Sequence, residues 1–231
     1  MIREMFLYVF EAVLYTHKRF GLIGGHDTHH ALRVAEMAYK IAIGEWNDEH
    51  IAKLAALAGL CHNADRVIQK KLKIGKQSTP DKEVENLVIY WLGLLEELSL
   101  TDRREIISTV LKHECANSEQ DSNVLIALRD ADRVVNLELD LVIRSGQHYH
   151  KLPAVDFEHF IDDPSATYQE PRSVLRDIAY ALEWMDEKSP YCIRTSLGRK
   201  FGEERATELR RYTDTLRKQL EETGLLKQHK Q

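Results

Sequence analysis

Four side chains in this sequence have types and positions that could do chemistry together: His30, His62, His113 and Asp132. Each is polar, and each falls where helical spacing calls for a core residue. His30 shares a face with Val34, Met37, Ala38 and Ile41, all within about 80° of it at about 100° per residue. His62 continues the line of Ile51, Leu54, Ala55 and Ala58, where the two alanines leave room for a second helix to come close. His113 follows Ile106 and Val110, and Asp132 lies in the line of Leu125, Leu128, Val135 and Leu139. Burying such groups costs free energy unless partners satisfy them, and for an ionised carboxylate the penalty is large. Three imidazoles and one carboxylate form a ligand set for a cation that accepts nitrogen and oxygen donors. The ordinary alternatives are histidines hydrogen-bonded within the core and an ion pair of Asp132 with Arg129, Arg133 or a more distant arginine.

The elements that must carry these residues are helices. Helical periodicity and helix punctuation recur along the chain, while alternating β-branched stretches are almost absent, which predicts an all-α fold of about seven or eight helices. A first helix is predicted over 2–20, ending at the glycine-rich loop 21–25. A second, capped by Asp27 or Thr28, reaches about Ile43 and carries His30. A third, capped by Asn47 or Asp48, ends near His62, and its centre LAALAGLC is apolar on nearly every side, as for a segment threaded through the core. Residues 66–80 are basic and read as a loop, after which Thr79 and Pro80 start another helix. One more runs from Thr101 to about His113, and a long one from about Ser122 to Arg144, closed by Gly146. A loop of about 26 residues with Pro153, Pro164 and Pro171 follows, long enough to suggest a functional segment. Helices over 173–187 and 196–223 finish the chain, with Gly224 as a cap.

Composition narrows the class. With 231 residues, 43% of them hydrophobic and 30% charged, the chain supports one sizeable core, so a compact single domain over 1–231 is expected. A formal charge of -5 argues against a duplex nucleic-acid partner without excluding a small phosphorylated ligand. Cys61, Cys115 and Cys192 are dispersed and form no CxxC pair, which excludes a disulfide framework and a thiolate zinc site and fits a reducing compartment. The segment MIREMFLYVFEAVLY carries Glu4 and Glu11 and reads as an amphipathic helix rather than a secretory leader. No run approaches the roughly 18 apolar residues of a spanning helix. A cytoplasmic protein without a membrane partner is expected.

The run His30-Ala31-Leu32-Arg33-Val34, then AALAGLCHN ending in His62-Asn63, then Asp130-Ala131-Asp132-Arg133-Val134 resemble the successive signatures of the HD-domain superfamily of helical, metal-dependent phosphohydrolases. The resemblance covers a motif core of about 24–144. The tail TSLGRKFGEERATELRRY, within C-terminal helices over about 172–224, looks like that of a bacterial branch of small HD hydrolases. Position by position, it makes His30, His62 and Asp132 metal ligands, with Asn63 at the fourth position. Asp130 becomes an outer neighbour or a surface residue, and His26-Asp27 and His29 fall outside the ligand set. His113 matches the extra histidine that many members use for a second metal or for the substrate phosphate. One departure stands out: the family's His-Asp doublet is His62-Asn63 here. An amide oxygen can ligate a cation but lacks the charge that binds it tightly and helps to activate its water. Asp65, two residues on, would point elsewhere along a continuing helix.

The resemblance implies a divalent ion (Mn, Fe, Co, Ni, Zn or Mg) that activates water toward the phosphoester of a nucleotide or another small phosphorylated metabolite. In that reading His113 donates to a phosphoryl or departing oxygen and Arg33 clamps phosphate with its planar fork, unless an ion pair holds Arg33 instead. Arg66, Lys70, Lys71, Lys73 and Lys76 make a positive rim, or else a solvated loop. His148 and His150 sit in the long loop, as a cover for the cavity or as plain surface. Two rival classes remain open: a non-catalytic binding or regulatory protein that keeps the scaffold, as Asn63 permits, and a diiron oxygenase of the same superfamily.

Overall fold

Most of the expected helices form where their caps and apolar stripes place them. The structure is a computed structural model and describes residues 1–226. Among those residues it contains no β-strand, only an isolated bridge between Asp156 and Phe160, so the fold is an all-α single-domain bundle. The N-terminal segment is two helices, α1 (Ile2–Met5) and α2 (Leu7–Phe20), because Phe6 leaves helical geometry at φ −125° and ψ 44°. Gly21 then takes the left-handed conformation, φ +66°, that closes α2.

The centre of the molecule is built from α3 (Thr28–Trp46), α4 (Glu49–Cys61) and α8 (Asn123–Val135). Asp27 caps α3 by accepting the His30 backbone N–H at 2.9 Å, and Asp48 caps α4 through the N–H groups of His50 and Ile51. α3 packs most extensively against α4 and then α8. The α3–α4 contact is close enough that a Cβ on Gly59 would fall 2.7 Å from the Ala35 Cα. Gly59 and the fully buried Ala55 and Ala58 therefore let the first helix of the site lie directly on the second.

The basic stretch expected as a loop is in large part helical. α5 (Ala64–Leu72) buries Ala64, Val67 and Ile68, spaced i, i+3 and i+4, and turns its lysines outward. Three apolar positions at helical spacing outweigh the charge of the remaining face. α6 (Asp81–Leu92) starts behind Pro80, and α7 (Leu100–Lys112) behind a Ser99 cap. The long helix expected over 122–144 is broken. α8 ends at Asn136, and a turn precedes α9 (Leu141–His148). The break brings Glu138 and Asp140 onto Arg33, at 2.7 and 2.8 Å, which a continuous helix would place on different sides. After the 149–173 connection, α10 (Val174–Leu182) and α11 (Ser196–Glu222) complete the bundle, with α11 against α8 and α3. No helix among the described residues is long and apolar enough to cross a membrane.

Candidate metal centre

The first turn of α3, the end of α4 and the last turn of α8 meet at three of the residues singled out in the sequence. His30 Nε2 lies 3.1 Å from Asp132 Oδ1, and His62 Nε2 lies 3.8 Å from the same oxygen. One ligand atom from each of the three falls within 4.8 Å of the others. Both histidine side chains are 2% exposed while Asp132 keeps 26%, so the cluster is walled on the helix side and reachable from the other.

The ion-pair alternative for Asp132 is not what the fold builds. Arg129 donates to Asp121 and to the carbonyls of Lys112 and His113, and Arg133 donates to Asn117 and the Cys192 carbonyl. The carboxylate receives His30 and the Asn136 amide, at 2.9 Å, and no arginine. Burial alone would raise the Asp132 carboxyl, but donation from His30, with His62 and His113 nearby, holds it far below the usual carboxylate range. His62 is also shifted downward, but by burial itself. Burial pushes its imidazole down to about 3, so the ring is neutral.

Its tautomer follows from one contact. His62 Nδ1 lies 2.7 Å from the Gly59 carbonyl, which can only accept, so the proton sits on Nδ1 and the Nε2 lone pair faces Asp132. His113, at the end of α7, repeats the device: its Nδ1 donates to the Val110 carbonyl at 2.7 Å. Its ring centroid is 5.5 Å from that of His62, and the His62 centroid is 5.3 Å from that of His30. A carbonyl three residues back thus orients both rings, which is the outer support a metal-binding histidine needs. The donor set fits a borderline divalent cation: two imidazole nitrogens, one ionised carboxylate, and a third imidazole beside them.

The other expected residues divide. Asn63 is buried at the α4–α5 junction, directly after His62, and its Nδ2 has no hydrogen-bond partner. No hydrogen bond ties it to the cluster. Since an amide reads equally well turned over, the orphaned atom is a vacant donor or a vacant carbonyl ligand. Arg33 is corrected: both ends of its fork are held by Glu138 and Asp140, so it ties α3 to the turn after α8 rather than clamping a phosphate. Asp130 is corrected from an outer neighbour to a fully buried anchor for the N-terminus of α11, receiving Thr195 N–H at 2.7 Å and Thr195 Oγ1 at 2.8 Å. Of the basic rim, Arg66, Lys70, Lys73 and Lys76 line a cavity of 810 Å³, whereas Lys71 pairs with Glu83. His148 and His150 line the same cavity.

Two residues were missed. His26, read as lying outside the ligand set, also lines the cavity; burial pushes its ring well below the ordinary value, and Arg66, His30 and His62 act in the same direction. Its place in a short turn just before the Asp27 cap was the available signal. Tyr168 lines the cavity from the long loop, its hydroxyl raised by burial and by the field of Asp132. Nothing in the local sequence marks it. Comparison of the chain with protein-family models, with curated proteins and with solved structures gives no match.

Proposed function

We propose that the protein is a metal-dependent phosphohydrolase of the HD-domain type, acting on a small phosphorylated metabolite. The observation that carries the reading is the Asp132 carboxylate, ionised and set between two imidazoles with no arginine to neutralise it. His30, His62 and Asp132 would hold the divalent ion, with Asn63 turned to offer its carbonyl. When bound, the ion supplies a Lewis acid that lowers the pKa of a water and offsets charge on a phosphoryl oxygen.

The chain's own residues do the rest. His62 keeps its proton on Nδ1 through Gly59 and presents a lone pair at Nε2. Asn136 donates to Asp132 Oδ1 and is itself held by Arg144 at 2.9 Å, which fixes the carboxylate. His113 Nε2 is the group that can receive a proton at the edge of the cluster, its other nitrogen being committed to Val110. His26 and Tyr168 line the cavity that meets the cluster at Asn136, and a substrate seated there would find the Tyr168 hydroxyl, kept protonated, as a donor to a phosphoryl oxygen.

A non-catalytic binding role is favoured by one observation, the neutral amide at Asn63. Both readings answer to one experiment: metal analysis of the purified protein, followed by hydrolysis of p-nitrophenyl phosphate with Mn, Ni, Co, Zn or Mg added. About one equivalent of metal with turnover supports the hydrolase. Absence of turnover overturns the hydrolase, and absence of both metal and turnover favours the binding protein. Two irons with oxygen uptake would replace the hydrolase by the oxygenase.

A further inference from the structure

The 810 Å³ cavity, which Asn136, the donor to Asp132, connects to the cluster although none of His30, His62 and Asp132 lines it, carries charge that the fold does not answer. Five cations line it, Arg66, Lys70, Lys73, Lys76 and Arg144, against a single carboxylate, Asp177, in a chain whose formal charge is -5. Three of the five are matched within the protein. Glu114 takes Arg66 at 2.6 Å and Lys76 at 3.0 Å, and Asp140 takes Arg144 at 3.2 Å. Asp177 accepts the Ser145 hydroxyl, and burial raises its carboxyl. Lys70 and Lys73 are different: among the described residues neither has a carboxylate within 4.0 Å. His148 and His150, across the lining, add no negative charge.

Position along α5 sets the reach of these lysines. The helix begins two residues after His62. At about 1.5 Å per residue, Lys70 lies about 9 Å along α5 from Ala64, its first residue. A cavity of 810 Å³ is of the size that holds a whole metabolite rather than a bare phosphate. The neighbouring phosphoryl groups of a diphosphate share one oxygen and lie too close together to serve both ends.

We infer that Lys70 and Lys73 bind a second anionic group of the substrate, so that the preferred molecule is a bisphosphate with its two phosphoryl groups separated by a sugar-sized skeleton. This rests on the reading that the first phosphoryl group is held at the His30–His62–Asp132 cluster. The two lysines are specificity determinants, placed away from the reacting atoms.

The test is calorimetric binding to the metal-loaded full chain of two probes without a sugar, a six-carbon alkane bisphosphate and hexyl phosphate. The bisphosphate is expected to bind about tenfold more tightly, about 1.4 kcal/mol. Replacing both lysines by alanine (K70A/K73A), at exposed positions where folding is checked by circular dichroism, should bring the two affinities together by weakening the bisphosphate. Equal affinities in the parent protein, no binding of the bisphosphate, or a preference that survives the double substitution would each overturn the inference. Because binding is read rather than turnover, failure to hydrolyse any phosphoester would sink the hydrolase reading by itself. Absence of the preference in a parent protein that does hydrolyse hexyl phosphate would sink this inference alone.

Discussion

Asp130 and Asp132 stand two residues apart on α8 and solve the burial of a carboxylate in opposite ways. Asp130 is fully buried, and its Oδ2 accepts three donors, the backbone N–H groups of Arg194 and Thr195 and the Thr195 hydroxyl. Its other oxygen faces Arg133 at 3.8 Å. Those donors belong to the open N-terminus of α11, so charge and helix end complete each other. Asp132 is the less buried of the two, yet its neighbours are ring nitrogens and one amide. His30 donates a proton to the carboxylate, whereas the His62 lone pair faces it with none between, and that second contact is complete only when a cation or a proton joins it. Depth of burial therefore does not distinguish a structural carboxylate from a ligand; the chemical kind of its partners does.

The largest effects should come from breaking each carboxylate in turn. D132N should reduce bound divalent metal from about one equivalent to near none, and lower hydrolysis at least about 100-fold, the scale that loss of an outer partner already reaches at metal sites. Its urea midpoint should hardly move. D130A should do the reverse. With the Thr195 and Arg194 N–H groups left unanswered inside the protein, it should cost about 3–5 kcal/mol in urea denaturation, while the folded fraction still takes up metal. If both variants lose metal, or both lose stability alike, the distinction between the two aspartates is gone.

The same contrast can be sharpened with two buried histidines. His17, which is not among the clustered ligands, packs against Thr28 Oγ1 at 3.1 Å, and burial pushes its imidazole down to about 4. Above about pH 6.5 neither the folded nor the unfolded ring is charged, and there is no penalty. As pH falls from 6.5 toward 4 the unfolded chain takes up a proton that the folded chain refuses, so stability decreases with falling pH, by up to about 3 kcal/mol. His62, pushed down to about 3, has the same sign over a wider window. H17Q should flatten the slope of stability against pH between 6.5 and 4 in urea titrations, whatever its effect at pH 7. A divalent ion, which competes with protons only at the cluster, should protect against acid equally well in H17Q and in the parent protein. Protection that disappears in H17Q would place His17 in the site.

How much of this was legible in the sequence depended on whether a signal was local. The stripes of α3, α4 and α8 placed His30, His62 and Asp132 inward, because a helix face is settled by residues three and four apart. The caps Asp27 and Asp48, each read as one of two candidates, and the start of α8 at Ser122 were equally readable, whereas the Thr195 cap was not singled out. The misses came from long-range partners. Helix α5 was hidden because its charged and polar residues, Asp65, Arg66, Gln69, Lys70 and Lys71, outnumber the three buried apolar residues that neighbouring helices cover. The break after Asn136 answers to Arg33, more than 100 residues earlier. Tyr168 enters the cavity from a loop without periodicity, and His26 from a single turn, so no face could be assigned to either.

Smaller effects test the edges of the cluster. N63D would add a negative charge next to His62, and is expected to raise divalent metal affinity about tenfold, or about 1.4 kcal/mol, with a rise in turnover. Unchanged affinity would remove Asn63 from the site. The smallest effect is expected for Arg33. Its guanidinium is 38% exposed and shared between Glu138 and Asp140, so solvent screening limits the pair to within about 1 kcal/mol of stability. R33M should leave kcat/KM for p-nitrophenyl phosphate within about threefold, since less than about 0.7 kcal/mol of transition-state binding would be involved. A drop of 100-fold or more at an unchanged urea midpoint would mean that the guanidinium leaves its carboxylates for the substrate. Arg33 would then belong with Asp132 among groups completed from outside, rather than with Asp130.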